Sequence, residues 1–417
     1  MIKRRYQFVF ALLRPFFRLL TAIMYRYHSI PAPDLPKGQP ALILSNHNGA
    51  MDPFFLAVSF KRPIFFVASD HIFRLGLVSK LIRALVAPIP IVKSQMDLRT
   101  LRQIRERIQE GALIGLFPEG NRSFSGRTMY IPPSTGKLVK QLKCSLILYR
   151  IDGGYLTTPR WAVSRRKGFM QGSVVRCIEP DELAGMSAEK IYQIITETLQ
   201  VDAFSVQRKK MVAYRGKKLA ETLELTLFVC PRCKGLATLS SRNDQFSCSC
   251  GLTVRYTEYG FFEPLDEWSV DQQLSGRFMD NVSDWDQWQR SVLADLLFSS
   301  NILDTSGQTP LFKDQAQQLV LTERAEQSHV IASGCLELYA DRLVFYAGTK
   351  PEQTKSFPLT EISRMIVHGP QTLQFTTTMA QVWEVRSNLR RSAYKYVLTT
   401  QLLRQHLKGE TYELHGI

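Results

Sequence analysis

Residues 41–52 read ALILSNHNGAMD, and residues 112–123 read ALIGLFPEGNRS. Each is a short apolar run that stops at a polar turn carrying chemistry-bearing side chains. The first holds Asn46, His47 and Asp52; the second holds Glu119, Gly120 and Arg122. Short apolar runs bounded by turn formers predict buried strands. The alternation continues around them. PIFFVAS (63–69), PIPIV (88–92) and SLILYRI (145–151) are further strand-like runs. Helix-like stretches follow Asp52, lie near 76–86 and fill DLRTLRQIRERIQEG (97–111). Strands alternating with amphipathic helices predict an α/β layer fold over residues 41–222.

A His and an Asp so placed directly after a strand suit a general base and its orienter. A neutral imidazole takes a proton from an attacking hydroxyl, and an Asp on the other ring nitrogen fixes its tautomer. The same residues also read as an ordinary loop, with Asp52 as an N-cap and Pro53 opening the helix. In the second block, Gly120 permits close approach of backbone to a ligand, and the planar fork of Arg122 suits phosphate. Taken alone, that block is a turn with a surface salt bridge.

Together, NHNGAMD and FPEGNRS resemble, in residue type, order and separation, the two hallmark blocks of the glycerolipid acyltransferase family. The 1-acylglycerol-3-phosphate O-acyltransferases are among its members. The resemblance covers about residues 1–220. It implies that His47 deprotonates the acceptor hydroxyl, which attacks the thioester of an acyl carrier protein or coenzyme A donor, while Asp52 orients His47. No acyl-enzyme is implied. Glu119, Gly120 and Arg122 are implied to bind and position the acceptor, with Lys93 of PIPIVKSQ as the basic residue ending the family's intermediate block. The family more often has Arg there. Its fourth block usually has a Val-Pro-Val-like strand, where this chain reads SLILYRIDGGYLTTPRW (145–161). The implied activity is acyl transfer to lysophosphatidate in phospholipid synthesis. A lysophospholipid acceptor with another head group, or a non-catalytic lipid-binding scaffold on the same fold, are the alternatives.

Charge divides the chain. Residues 1–220 carry 35 Lys and Arg against 14 Asp and Glu, and the remainder carries 18 against 23. No acidic residue precedes Asp34. Tyr6 to Met24 has the length to cross a bilayer but places Arg14, Pro15 and Arg18 in its middle. Each central Arg costs roughly 2.5–3.5 kcal/mol on insertion scales. Residues 1–40 therefore read as an in-plane helix on the anionic, cytoplasmic face of the cell membrane, with Gln7, Ala11, Arg14, Arg18 and Thr21 on one stripe. A helix docked on the protein's own core is the competing reading. The basic run VQRKKMVAYRGKKLAE (206–221) reads either as a solvated face or as a second contact with membrane phosphates.

Cys230, Cys233, Cys248 and Cys250 form two close pairs near the spacing of a zinc ribbon, placed over residues 223–262. The second pair is one residue tighter than usual, and a redox or disulfide pair is the alternative. Cys144, Cys177 and Cys335 sit in apolar contexts and read as core. Seven thiols with no secretion signal suggest a reducing compartment. A connector is expected over 263–327 and a β-rich module over 328–417, whose strands and closing helix are similar to a pleckstrin-homology-like barrel. A nucleic-acid partner ranks below the membrane, because the half containing the ribbon is net acidic.

Overall fold

The computed structural model describes residues 3–69, 86–91, 98–299, 307–324, 327–348 and 351–409. Lys93 and most of the helix-like stretch near 76–86 lie outside the described residues. The chain forms two compact units. One is Met1–Pro159 with Arg165–Arg215, and the other is Arg160–Ser164 with Gly216–Ile417.

The first unit opens with helix α1 (Arg4–Tyr25) and strand β1 (Tyr27–Ser29). Then follow β2 (Ala41–Ser45), α2 (Asp52–Ala57), β3 (Ile64–Ser69), β4 (Ile89–Ile91), α3 (Leu98–Gln109) and β5 (Leu113–Leu116). Helix α4 (Ser134–Leu142), β6 (Ser145–Asp152), α5 (Gly154–Thr157), β7 (Met170–Ile178), α6 (Pro180–Ala184), α7 (Ala188–Leu199) and α8 (Ala203–Lys210) complete it. The strands form one sheet in the order β1-β7-β6-β2-β5-β3-β4. Central β2 runs parallel to both β5 and β6.

Every residue of β2 is buried, as expected for a parallel strand covered on both faces. Leu42 and Leu44 join a core with Ile104 and Ile108 of α3, Leu138 of α4 and Ile191 and Ile195 of α7. Ala41 and Ile43 point the other way, into a core with Phe55, Leu56 and Tyr149. Thr100, Ile104 and Ile108 are the buried positions of α3, a spacing of four that leaves Arg99, Arg102 and Arg105 exposed.

Helix α1 is long and apolar enough to cross a membrane by length and composition. One side is docked on its unit. Phe17 stacks on Phe54 at 4.6 Å, Tyr6 meets Phe65 edge-on, and Arg14 Nε donates to the Val58 carbonyl at 3.2 Å. The other side carries Phe8, Leu12, Phe16, Leu19 and Ile23, each 59–71% exposed. The polar stripe read from the sequence does not face solvent as a unit, since Thr21 is buried and bonds back to the Phe17 carbonyl. Docking takes up Arg14 and Thr21 together with Tyr6 and Phe17, and leaves the apolar row from Phe8 to Ile23 uncovered.

In the second unit, β8 (Leu239–Arg242), β9 (Gln245–Cys248), β10 (Thr253–Tyr256) and β11 (Phe262–Pro264) form an antiparallel sheet. Helices α9 (Glu267–Leu274) and α10 (Val282–Ser299) follow, and Trp285 of α10 packs on Phe246 and Phe262. Next come β12 (Phe312–Arg324), β13 (Gln327–Leu338), β14 (Arg342–Ala347), β15 (Lys355–Pro358), β16 (Ile362–His368), β17 (Thr372–Thr377) and β18 (Val382–Ser387). They form a second antiparallel sheet in the order β15-β14-β13-β12-β18-β17-β16, ahead of the closing helix α11 (Ala393–Lys408). This sheet starts at Phe312, inside the stretch read as a connector.

Candidate active site and cysteine cluster

Parallel neighbours end on the same edge of a sheet, so the loops after β2, β5 and β6 meet there. This brings the two sequence blocks together. The His47 amide donates to Glu119 Oε1 at 2.6 Å, and the Ser123 amide donates to the His47 carbonyl at 3.1 Å. Asn46 pairs with Ile151 at the end of β6 through both its amide nitrogen and its amide oxygen, and Asn48 Nδ2 reaches the same carbonyl. The asparagines flank His47 in the sequence, yet their partner lies in a distant strand, and only the pattern of a His between two Asn hints at them.

Within the first block, His47 Nδ1 lies 2.9 Å from Asp52 Oδ2. The same oxygen accepts the amides of Asn48 at 2.6 Å and Gly49 at 2.9 Å. Asp52 is only 1% exposed, and its position at the start of α2 is locked by these three donors. Helix α2 is in turn anchored to the sheet: Tyr27 Oη donates to the Phe55 carbonyl at 2.9 Å and lies 2.7 Å from Tyr149 Oη. The imidazole stacks on Phe117 at 4.4 Å, a platform that the sequence placed in the second block without a role. With its proton on Nδ1 and directed to Asp52, the ring keeps Nε2 as an acceptor. A fifth of the His47 side chain is exposed, which makes that face reachable.

Glu119, expected at the acceptor, is turned into the protein. Oε1 holds the His47 amide and Oε2 holds the Met129 amide, both at 2.6 Å. Burial pushes its carboxyl up to about 8, with the two amide donors pulling the other way and the Asp52 charge adding to the rise. Gly120 takes a φ of +66° in the turn that its amide closes on the Phe117 carbonyl, a conformation suited to glycine. Arg122 follows, half-buried. Burial lowers its guanidinium from the usual value, and the nearby Asp52 carboxylate opposes that shift.

The four cysteines also converge, in the second unit. Their sulfurs all lie within 4.8 Å of one another. Cys230 and Cys250 are 3.7 Å apart, as are Cys233 and Cys248. A disulfide needs about 2.05 Å. Four thiolates around a tetrahedral ion at about 2.3 Å stand about 3.8 Å apart, so the donor set fits a thiolate-bound metal. The Gly235 amide donates to Cys233 Sγ at 3.4 Å. Gly251, with φ at +95°, turns the chain after Cys250 and so permits the tight second pair.

An acyltransferase family profile matches residues 26–151. Over 116 residues the chain is 24% identical to the curated 1-acyl-sn-glycerol-3-phosphate acyltransferase of Borreliella burgdorferi, a match taking in 27% of this chain and 46% of that protein. The chain thus spans about half the length of that relative. Among solved structures, the 1-acyl-sn-glycerophosphate acyltransferase of Thermotoga maritima is similar at 20% identity and a TM-score of 0.41, covering 50% of this chain and 84% of that one. The N-terminal PH domain of human ARAP2 is similar at 14% identity and a TM-score of 0.19, covering 25% of this chain and 89% of that one.

Proposed function

We propose, from the premise that residues 26–151 belong to the glycerolipid acyltransferase family, that the chain moves a fatty acyl group from a thioester to the free hydroxyl of a lysophosphatidate-like acceptor. The observation that carries the reading is the geometry of His47. Its Nδ1 is held by a buried Asp52 carboxylate that two backbone amides fix, and its Nε2 is left to act as a base.

In the reaction, Nε2 takes the proton as the hydroxyl oxygen bonds to the thioester carbonyl carbon. Asp52 stabilises the imidazolium that forms. The tetrahedral intermediate then collapses with cleavage of the carbon–sulfur bond, and the departing thiolate takes the proton back from His47. The donor is acyl carrier protein or coenzyme A, since the chemistry is the same for both. Arg122 offers charge to the acceptor phosphate, and Gly120 lets that loop approach. Glu119 acts as a positioning residue, tying the His47 backbone to the loop at Met129.

The apolar face of α1 lies in the plane of an anionic membrane on its cytoplasmic side, which delivers a lipid acceptor to the site. The cysteines hold zinc as Cys230, Cys233, Cys248 and Cys250 thiolates. The ion supplies folding energy to the small sheet of β8–β11.

The test is transfer of labelled palmitate from each donor to lysophosphatidate on anionic vesicles, with native chain and His47→Ala. Native transfer that falls by roughly 10²–10⁴ in the variant is expected. Native transfer undiminished in the variant rules out His47 as the base.

A further inference from the structure

Residues 1–33, 153–178 and 203–220 carry no Asp or Glu. In the first unit they converge where α1 ends. The guanidinium of Arg165 lies over the Tyr25 ring at 4.7 Å, and the Met170 amide of β7 donates to the Arg26 carbonyl. His28 stacks on Phe169 at 4.9 Å, and Lys210 Nζ lies over the same ring at 5.3 Å. Lys167 and Arg215 exchange backbone hydrogen bonds at 2.7 and 2.9 Å. Arg26, His28, Lys167, Lys209 and Lys210 are exposed, as is Met211 beside them. Asp152 is the carboxylate lining the adjacent cleft, and it is paired with Arg150.

We infer that this surface is a second membrane contact, a seat for anionic lipid head groups built from Arg26, Arg165, Lys167, Lys209 and Lys210. The inference rests on the membrane placement of α1 proposed above and deepens it. Two features point to lipid. The surface adjoins the exposed apolar row of α1, which runs to Ile23, and Ile30 and Met211 add apolar side chains among the cations. Lys and Arg interleaved with aromatic and apolar groups match a head-group layer, where charge meets phosphate and rings sit at the boundary. A second anchor also removes the freedom of the unit to pivot about α1.

The experiment measures binding of the full chain to phosphatidylcholine vesicles with and without phosphatidylglycerol, separately from acyl transfer. Each cation near an anionic surface changes the binding constant by about fivefold. The triple variant Lys167→Gln, Lys209→Gln, Lys210→Gln is therefore expected to bind phosphatidylglycerol vesicles about a hundredfold more weakly at low salt. The difference should shrink at high salt, and binding to pure phosphatidylcholine should not change. The control removes equal charge elsewhere on the same unit, as Arg99→Gln, Arg102→Gln, Arg105→Gln on exposed positions of α3. An equal loss in the control overturns the inference, because net charge alone then explains binding. Unchanged vesicle binding with a raised KM for acyl carrier protein also overturns it and makes the surface a protein-docking face. His47→Ala should bind as the native chain does, so loss of transfer and loss of the seat remain separate results.

Discussion

The His47 site and the four-cysteine site are both assembled by loops at strand ends, yet they are held by different forces. Around His47 the protein supplies partners of its own. Two amides and the imidazole satisfy Asp52 Oδ2, two amides satisfy Glu119, and Ile151 satisfies Asn46. Around the cysteines the protein supplies fewer partners, the Gly235 amide to Cys233 and Thr238 Oγ1 to Cys248, and each sulfur also has another sulfur at 3.7 Å, a weak partner for a thiol. The first site is preorganised by backbone hydrogen bonds that fold with the sheet. The second is a set of four sulfurs within 4.8 Å of one another, a donor set that fits a cation.

The largest expected effect follows from that contrast. Structural zinc contributes about 10–16 kcal/mol of apparent binding energy in zinc-finger peptides, so removing the proposed ion is expected to destabilise the segment around the cysteines. All five tryptophans of the chain, Trp161, Trp268, Trp285, Trp288 and Trp383, lie in the second unit. Tryptophan emission therefore reports that unit alone. Chelation, or Cys233→Ser, is expected to release metal measured by elemental analysis and to shift the emission of Trp285 towards that of a solvated indole. Metal release with unchanged emission would mean that the cysteine site is preorganised as well.

Next in size is Asp52→Asn. Asn keeps an oxygen for the amides of Asn48 and Gly49 but removes the charge that stabilises an imidazolium and permits the wrong ring tautomer. We expect kcat to fall by roughly 10²–10⁴ with the KM for acceptor nearly unchanged, and the thermal midpoint to move little. A comparable fall in stability and in KM would mean that the carboxylate shapes the loop rather than serving the base.

What the sequence could reveal follows the same divide. The α/β alternation, α3 and the two blocks were legible because each is a local pattern: an apolar run, a spacing of four, a turn after a strand. The inward direction of Glu119 was not, because its partners are amides at His47 and Met129 that only the sheet brings near. Strand β12 was hidden for a related reason. FKDQAQQLVLTER is polar at its start, and Ala316 with φ at +56° sits at a register shift between Asp314 and Gln317, so the two-residue alternation is broken. Gln317 is nonetheless buried, held by Ser387 Oγ at 2.9 Å on the neighbouring strand. The orientation of α1 was half legible. Its length and apolar content are in the sequence, whereas the choice of docked face depends on Phe54 and Val58.

The smallest effect concerns the carboxyl at the seam of the two blocks, and it sharpens what preorganised means here. Glu119 is raised from an ordinary carboxyl value of 4.5 to about 8 by burial. A group raised in the folded state contributes stability that is complete below its unfolded value and is lost as pH climbs to its folded value. The first unit should thus lose stability from about pH 4.5 to about pH 8, by at most about 1.4 kcal/mol per pH unit, and be insensitive to this group above that. Glu119→Gln abolishes the slope. It also sets an amide NH₂ against one of the two backbone donors, costing about 1–3 kcal/mol at every pH. Urea unfolding followed by circular dichroism across this range, native against variant, reads the slope directly. A native chain as flat as the variant would mean that the amides of His47 and Met129 outweigh burial and keep the carboxylate charged. The clamp on His47 would then be an ionic one, and the site more strongly preorganised than its burial suggests.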